Sequence, residues 1–153
     1  MYSSLLPAKF LPSGGGAVGS RPLLKGQSVP QDLRISIVDD DESVRRATAS
    51  LLRACGFVTS TFGSAEEFLR SPHLHDTSCL ISDVQMPGMT GPELQSRLLE
   101  LGSEVPIIFM TAFPDERIHR QVDSAGAVAY LRKPFDSNLM VECVDKALHR
   151  AHR

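Results

Sequence analysis

Four apolar runs in this chain each lead into a polar residue of a different kind. Leu33-Arg34-Ile35-Ser36-Ile37-Val38 runs into Asp39, Asp40 and Asp41. Cys79-Leu80-Ile81-Ser82 runs into Asp83, the run from Val105 to Met110 into Thr111, and Ala127 to Leu131 into Lys133. Strand interiors exclude carboxylates, so these residues belong at strand tips, and in open α/β sheets the C-terminal edge is where ligands bind. Crowded carboxylates repel and do not all stay ionised unless something positive joins them. A hard dication such as Mg2+ is the natural partner, because it takes one or two carboxylates together with water and phosphate oxygens. One aspartate as nucleophile, further acids on the metal, a hydroxyl at Thr111 and an ammonium at Lys133 make a complete phosphoryl-acceptor set.

The intervening segments must bring those tips together. Val44, Ala47, Leu51 and Ala54 mark one face of a helix that stops at Gly56, and Asp41 suits its N-cap. Residues 57–62 read as a strand rich in β-branched and aromatic side chains. Ser64 and Glu67 form a capping-box pattern for a short helix ending before Pro72. The acid-tipped strand at 79–83 leads through Pro87-Gly88 to a helix with Pro92 in its first turn and a core face of Leu94, Leu98 and Leu101. The continuous apolar run 105–111 suits a strand buried on both faces. Pro114 opens a helix with few apolar positions, Ile118, Val122 and Ala125, expected to be the least firmly packed. A strand at 127–131 and a helix capped by Asp136 complete the chain, that helix presenting Leu139, Met140, Cys143, Val144, Ala147 and Leu148. Five strands alternating with five helices predict a doubly wound parallel sheet.

Composition narrows the function classes. Hydrophobic residues at 42% and charged residues at 22% suit one globular core, and a net charge of −2 points to neither nucleic acid nor membrane. No apolar run approaches the ~20 residues of a membrane helix. Cys55, Cys79 and Cys143 read as reduced, buried thiols of a cytoplasmic protein. Residues 1–31 hold Lys9, Arg21 and Lys25, no acid, and repeated Gly and Pro, so a disordered or flexible extension is expected there, with the folded domain over 32–153. His73 and His75 have no further convergent ligands and carry no metal role.

Taken together, Val38-Asp39-Asp40-Asp41, Asp83 through Gly91, Thr111-Ala112 and Lys133-Pro134-Phe135 resemble the receiver domain of two-component response regulators, of the FixJ-like type. Separations of 43, 28 and 22 residues between Asp40, Asp83, Thr111 and Lys133 agree with that order. The resemblance covers about residues 33–150. It implies a flavodoxin-like, CheY-like strand order 2-1-3-4-5, Asp83 as phosphoacceptor, Asp39 and Asp40 as the acid pair, and the Gln85 backbone carbonyl as a further Mg2+ ligand. It also implies Thr111 and Tyr130 as a switch pair, Lys133 as the site lysine, and a cis Lys133-Pro134 bond.

On that resemblance the chain takes a phosphoryl group from a histidine kinase or phosphotransfer protein. It then binds an output protein, or a second copy of itself, through the face formed by 115–150, with no direct contact to nucleic acid. No DNA-binding segment follows within the chain, so it reads as a stand-alone receiver, or as the receiver fragment of a DNA-binding regulator. A non-turnover binding module in the same fold is opposed by the complete acid, Thr and Lys set. A phosphatase using an aspartyl-phosphate needs an acid two residues after the nucleophile, where this chain has Gln85, so no enzyme acting on an exogenous substrate is expected.

Overall fold

Every strand among the described residues is short and runs the same way, and the helices are the crossovers that make this possible. The structure is a computed structural model describing residues 33–151; the extension expected over residues 1–31 lies outside the described residues. The elements are β1 (Arg34–Val38), α1 (Glu42–Ala54), β2 (Val58–Phe62), α2 (Ala65–Leu69), β3 (Cys79–Asp83), α3 (Gly91–Glu100), β4 (Ile107–Thr111), α4 (Glu116–Ser124), β5 (Ala129–Arg132) and α5 (Ser137–Ala151). All four pairings are parallel, and the spatial order is β2-β1-β3-β4-β5. This is the expected doubly wound sheet with order 2-1-3-4-5.

The central strands β3 and β4 are buried at every position, which the apolar runs Cys79-Leu80-Ile81 and Ile107-Ile108-Phe109-Met110 allow. The edge strands β2 and β5 are partly exposed. Ala65 and Phe68 of α2, Leu94 and Leu98 of α3, and Val122 of α4 pack on one sheet face with Val38, Leu80 and Phe109. Helices α1 and α5 accompany the other, α5 through Met140, Cys143, Val144, Ala147 and Leu148. Full burial of an Ile, Leu or Phe side chain is worth about 1.5–3 kcal/mol, so these two faces supply the main drive to fold.

Register is what makes the site. Val38 lies opposite Ser82, so the next residues, Asp39 and Asp83, emerge side by side from β1 and β3. Thr111 lies opposite Arg132, and Lys133 follows at once, its N–H donating to the Thr111 carbonyl at 2.8 Å.

Several local expectations need correction. In α1 the buried side chains are Thr48, Ala49 and Leu52, whereas Ala47 and Ala54 are exposed. Thr48 tolerates burial because its hydroxyl donates to the Val44 carbonyl at 2.8 Å. Leu101 and Leu139 are 52% and 44% exposed; Leu101 caps the end of α3, and Leu139 lies in the first turn of α5, beyond the reach of the sheet. Ala125 is likewise exposed past the end of α4, leaving Val122 as the buried side chain of that helix. Cys55 is exposed at the C-cap of α1, while Cys79 and Cys143 are buried. Helix α4 begins with Asp115 as its N-cap, one residue after Pro114.

The capping box at α2 is only half formed. Ser64 Oγ accepts from the Glu67 N–H at 3.1 Å, but the Glu67 carboxylate reaches past Ser64 to the Gly63 N–H at 2.8 Å. The reciprocal box forms at α3, where Thr90 Oγ1 accepts from the Glu93 N–H at 3.2 Å and Glu93 Oε1 from the Thr90 N–H at 2.9 Å.

Candidate functional site

The acids at the C-terminal edge are organised by caps and turns before they are organised by each other. Asp41 accepts from the Ser43 and Val44 N–H groups at 2.9 and 3.2 Å, as its N-cap position predicts, and so turns away from the site. Asp39 turns inward and is fully buried, with Oδ1 accepting the Asp41 N–H at 2.9 Å. Asp40 is exposed beside it. Asp39, Asp40 and Asp83 each bring a carboxylate oxygen within 4.8 Å of the others.

Lys133 is the cation of this cluster. Its Nζ lies 2.8 Å from Asp39 Oδ2 and 3.4 Å from Asp83 Oδ2. Burial works against its charge, but the Asp39 and Asp83 carboxylates outweigh that and raise its pKa. The Lys133-Pro134 bond is cis, as the resemblance implied.

Burial, and then the Asp39 charge, push the pKa of Asp83 up to about 6, while Lys133 and the Gln85 backbone N–H restrain the rise. Its surroundings are tight: Gly91 packs against its backbone, and a Cβ there would run into the Asp83 carbonyl oxygen.

This acid set fits a divalent cation. Asp39 Oδ2 is buried and, apart from the ionic contact with Lys133, makes no directed hydrogen bond, so it retains lone-pair capacity facing its neighbours. Three carboxylates sharing one lysine leave negative charge to be neutralised, and an all-oxygen donor set is what Mg2+ takes.

Thr111 is buried at the tip of β4, and its Oγ1 accepts the Phe113 N–H at 3.0 Å. Tyr130 is engaged with the start of α4. Its hydroxyl accepts from the Asp115 N–H at 3.0 Å and donates to the Asp115 carbonyl at 3.3 Å, and its ring stacks on His119 with centroids 4.5 Å apart. The structure thus brings Asp39, Asp40, Asp83 and Lys133 together, sets Thr111 at the neighbouring strand tip, and holds Tyr130 against α4.

Two contacts escaped the sequence reading. Arg45 donates to the Asp39 carbonyl at 2.7 Å, bracing the acidic turn from α1. Glu66 of α2 accepts the Met89 N–H at 3.0 Å, in the loop that follows Asp83. The basic first half of α1 was a weak signal for the first; nothing near Glu66 announced the second. Two concavities of about 210 and 400 Å³ lie at the opposite sheet edge, around Val105 and Pro106, away from the acids.

Comparison with known proteins gives a consistent picture. Residues 35–145 match the family model described as the response regulator receiver domain. Nodulation protein W of Bradyrhizobium diazoefficiens is 38% identical over 116 residues, covering 76% of this chain and 51% of that protein. The crystal structure of FixJ-N matches with a TM-score of 0.70 at 35% identity, covering 78% of this chain and 95% of the other. The response regulator StyR matches with a TM-score of 0.74 at 36% identity, covering 79% and 61%. The chain spans about half the length of the curated relatives it matches.

Proposed function

The chain belongs to the response regulator receiver domain family, and from that membership we propose that Asp83 accepts a phosphoryl group from a histidine kinase or a histidine phosphotransfer protein. The observation that carries the proposal is the placement of Asp83: beside Asp39 by strand register, with the Lys133 ammonium 3.4 Å away. In the transfer, an Asp83 carboxylate oxygen attacks phosphorus in line. The new O–P bond forms as the bond from phosphorus to the donor imidazole nitrogen breaks, and that nitrogen keeps the electron pair.

Mg2+, held by Asp39, Asp40, Asp83 and the Gln85 carbonyl, would neutralise charge on the phosphoryl oxygens. Lys133 supplies the second positive charge, exchanging part of its pairing with Asp83 for a phosphoryl oxygen. The Thr111 hydroxyl turns from the Phe113 N–H to donate to another. Tyr130 then leaves Asp115 for the space Thr111 vacates, and α4 shifts.

Signalling follows from that shift. The face made by α4, β5 and α5, residues 115–150, binds an output protein or a second copy of the chain, without direct contact to nucleic acid. No helix among the described residues is long and apolar enough to cross a membrane; free Cys55, Cys79 and Cys143 suit a reducing cytoplasm, where we place the protein.

The test is incubation with acetyl phosphate and Mg2+ followed by intact mass. We expect one phosphoryl adduct on the wild type and none on Asp83→Asn. No adduct on the wild type would leave a binding module, and rapid turnover of the donor without accumulation would indicate a phosphatase.

A further inference from the structure

We infer that Glu66 is a positioning residue for the acceptor site, a carboxylate on α2 that fastens the loop after Asp83 and so holds the Gln85 carbonyl and N–H where the site uses them. The inference rests on the receiver reading of that site.

The loop of residues 84–90 is tied down at its ends. The Val84 N–H donates to the Met110 carbonyl at 2.9 Å, and the Gly91 N–H to the Val84 carbonyl at 2.8 Å. Met86 is buried. The stretch from Pro87 to Gly88 is exposed and lies between these anchors. Among the described residues, the one side chain from outside the 83–93 segment that hydrogen-bonds this loop is Glu66, whose Oε2 accepts the Met89 N–H at 3.0 Å across 23 residues of sequence.

Gly88 is shaped around the contact. Its φ is +78°, and a Cβ at that position would lie 2.7 Å from Glu66 Oε2. The carboxylate therefore lies directly against the loop backbone, in space that any side chain at position 88 would take. Glu66 is itself well supported, because Ala65 and Phe68 on either side of it are buried and Ser64 caps the helix. Hydrogen bonds from its own backbone N–H and from Met89, helped by Arg70, hold its carboxyl below the usual range, so it remains an anionic acceptor at neutral pH.

The consequence reaches the metal and the nucleophile through backbone. Gln85 stands between buried Val84 and Met86, and its N–H stabilises the ionised form of Asp83. With the distal half of the loop released, the Gln85 peptide gains freedom that Mg2+ binding must then remove.

Glu66→Ala and Glu66→Gln in the full chain test this, read three ways: Mg2+ affinity by calorimetry, phosphorylation rate with acetyl phosphate, and hydrogen exchange at the Met89 amide. For Glu66→Ala we expect faster Met89 exchange and a loss of roughly three- to tenfold in both Mg2+ affinity and rate, below the 10–100-fold typical of a partner touching a metal ligand directly. Glu66→Gln keeps an acceptor oxygen and should restore all three to within about twofold. An alanine variant with wild-type Mg2+ affinity overturns the inference, even if Met89 exchanges faster. So does a glutamine variant as impaired as alanine, since the acceptor oxygen is then not the active feature. A wild type that binds Mg2+ but takes no phosphoryl group defeats the receiver reading instead, and the Mg2+ and exchange measurements still decide the role of Glu66.

Discussion

As the proposed nucleophile, Asp83 must be ionised to act, yet burial and the Asp39 charge raise its pKa. Its pKa rises from 3.8 to about 6 on folding. Between those values the folded state binds the proton more tightly than the unfolded chain. Stability from this group is therefore present below about pH 4 and is lost as pH rises through about 6. Asp83→Asn removes the charge with almost no change of shape. In metal-free buffer it should be more stable than the wild type above pH 6 by on the order of 3 kcal/mol, the value of a shift of about two units. The difference should vanish near pH 4. Urea unfolding of both proteins at pH 7.5 and pH 4 measures it; an Asn variant less stable than the wild type at pH 7.5 would mean that Lys133 outweighs burial and Asp39 together.

At the scale of elements, α4 is the helix that the proposed switch would move. It buries one side chain, Val122, and takes a hydrogen bond from Gln95 Nε2 to the Val122 carbonyl at 3.0 Å. Its N-terminus is held by the two Tyr130–Asp115 hydrogen bonds and the stack on His119. Few buried apolar contacts make a low-stability segment. Tyr130→Phe removes both hydrogen bonds and should cost about 1 kcal/mol. Hydrogen exchange over residues 112–118 should then accelerate in the unphosphorylated protein. The phosphoryl mimic beryllofluoride should accelerate the same segment in the wild type by drawing Thr111 away from the Phe113 N–H. Protection changes confined to residues 83–91, with 111–135 unaltered, would refute the proposed switch and favour a passive phosphate carrier.

For the whole molecule, metal binding at these acids, as proposed, would make folding and metal binding one equilibrium. A ligand that binds only the folded state stabilises it by about 2.7 kcal/mol at a hundredfold excess over Kd. For a domain of this size that corresponds to a rise in Tm of roughly 10 °C. Thermal melts across a Mg2+ titration should show this rise for the wild type and little of it for Asp40→Ala, whose fold should be intact because Asp40 is exposed. An equal rise in both proteins would place the stabilising metal elsewhere on the surface.

Much of this was legible from residues close together in sequence. Apolar runs followed by Asp39, Asp83, Thr111 and Lys133 announced strand tips, and the alternation with helical periods announced a parallel sheet, because strand, helix and cap depend on neighbours within about one turn. Asp41 as an N-cap was readable for the same reason. Side-chain orientation at helix ends was not: Leu101 and Leu139 carry the right period but overrun the sheet they were expected to cover. The tertiary structure alone decided that Val38 faces Ser82, which sets Asp39 beside Asp83, and that Lys133 lies nearer Asp39 than Asp83. It alone decided that Glu66 meets Met89 and that Tyr130 rests on Asp115 and His119. Such contacts join residues far apart in the chain, and their geometry follows from sheet order and from how each helix packs once the core has formed.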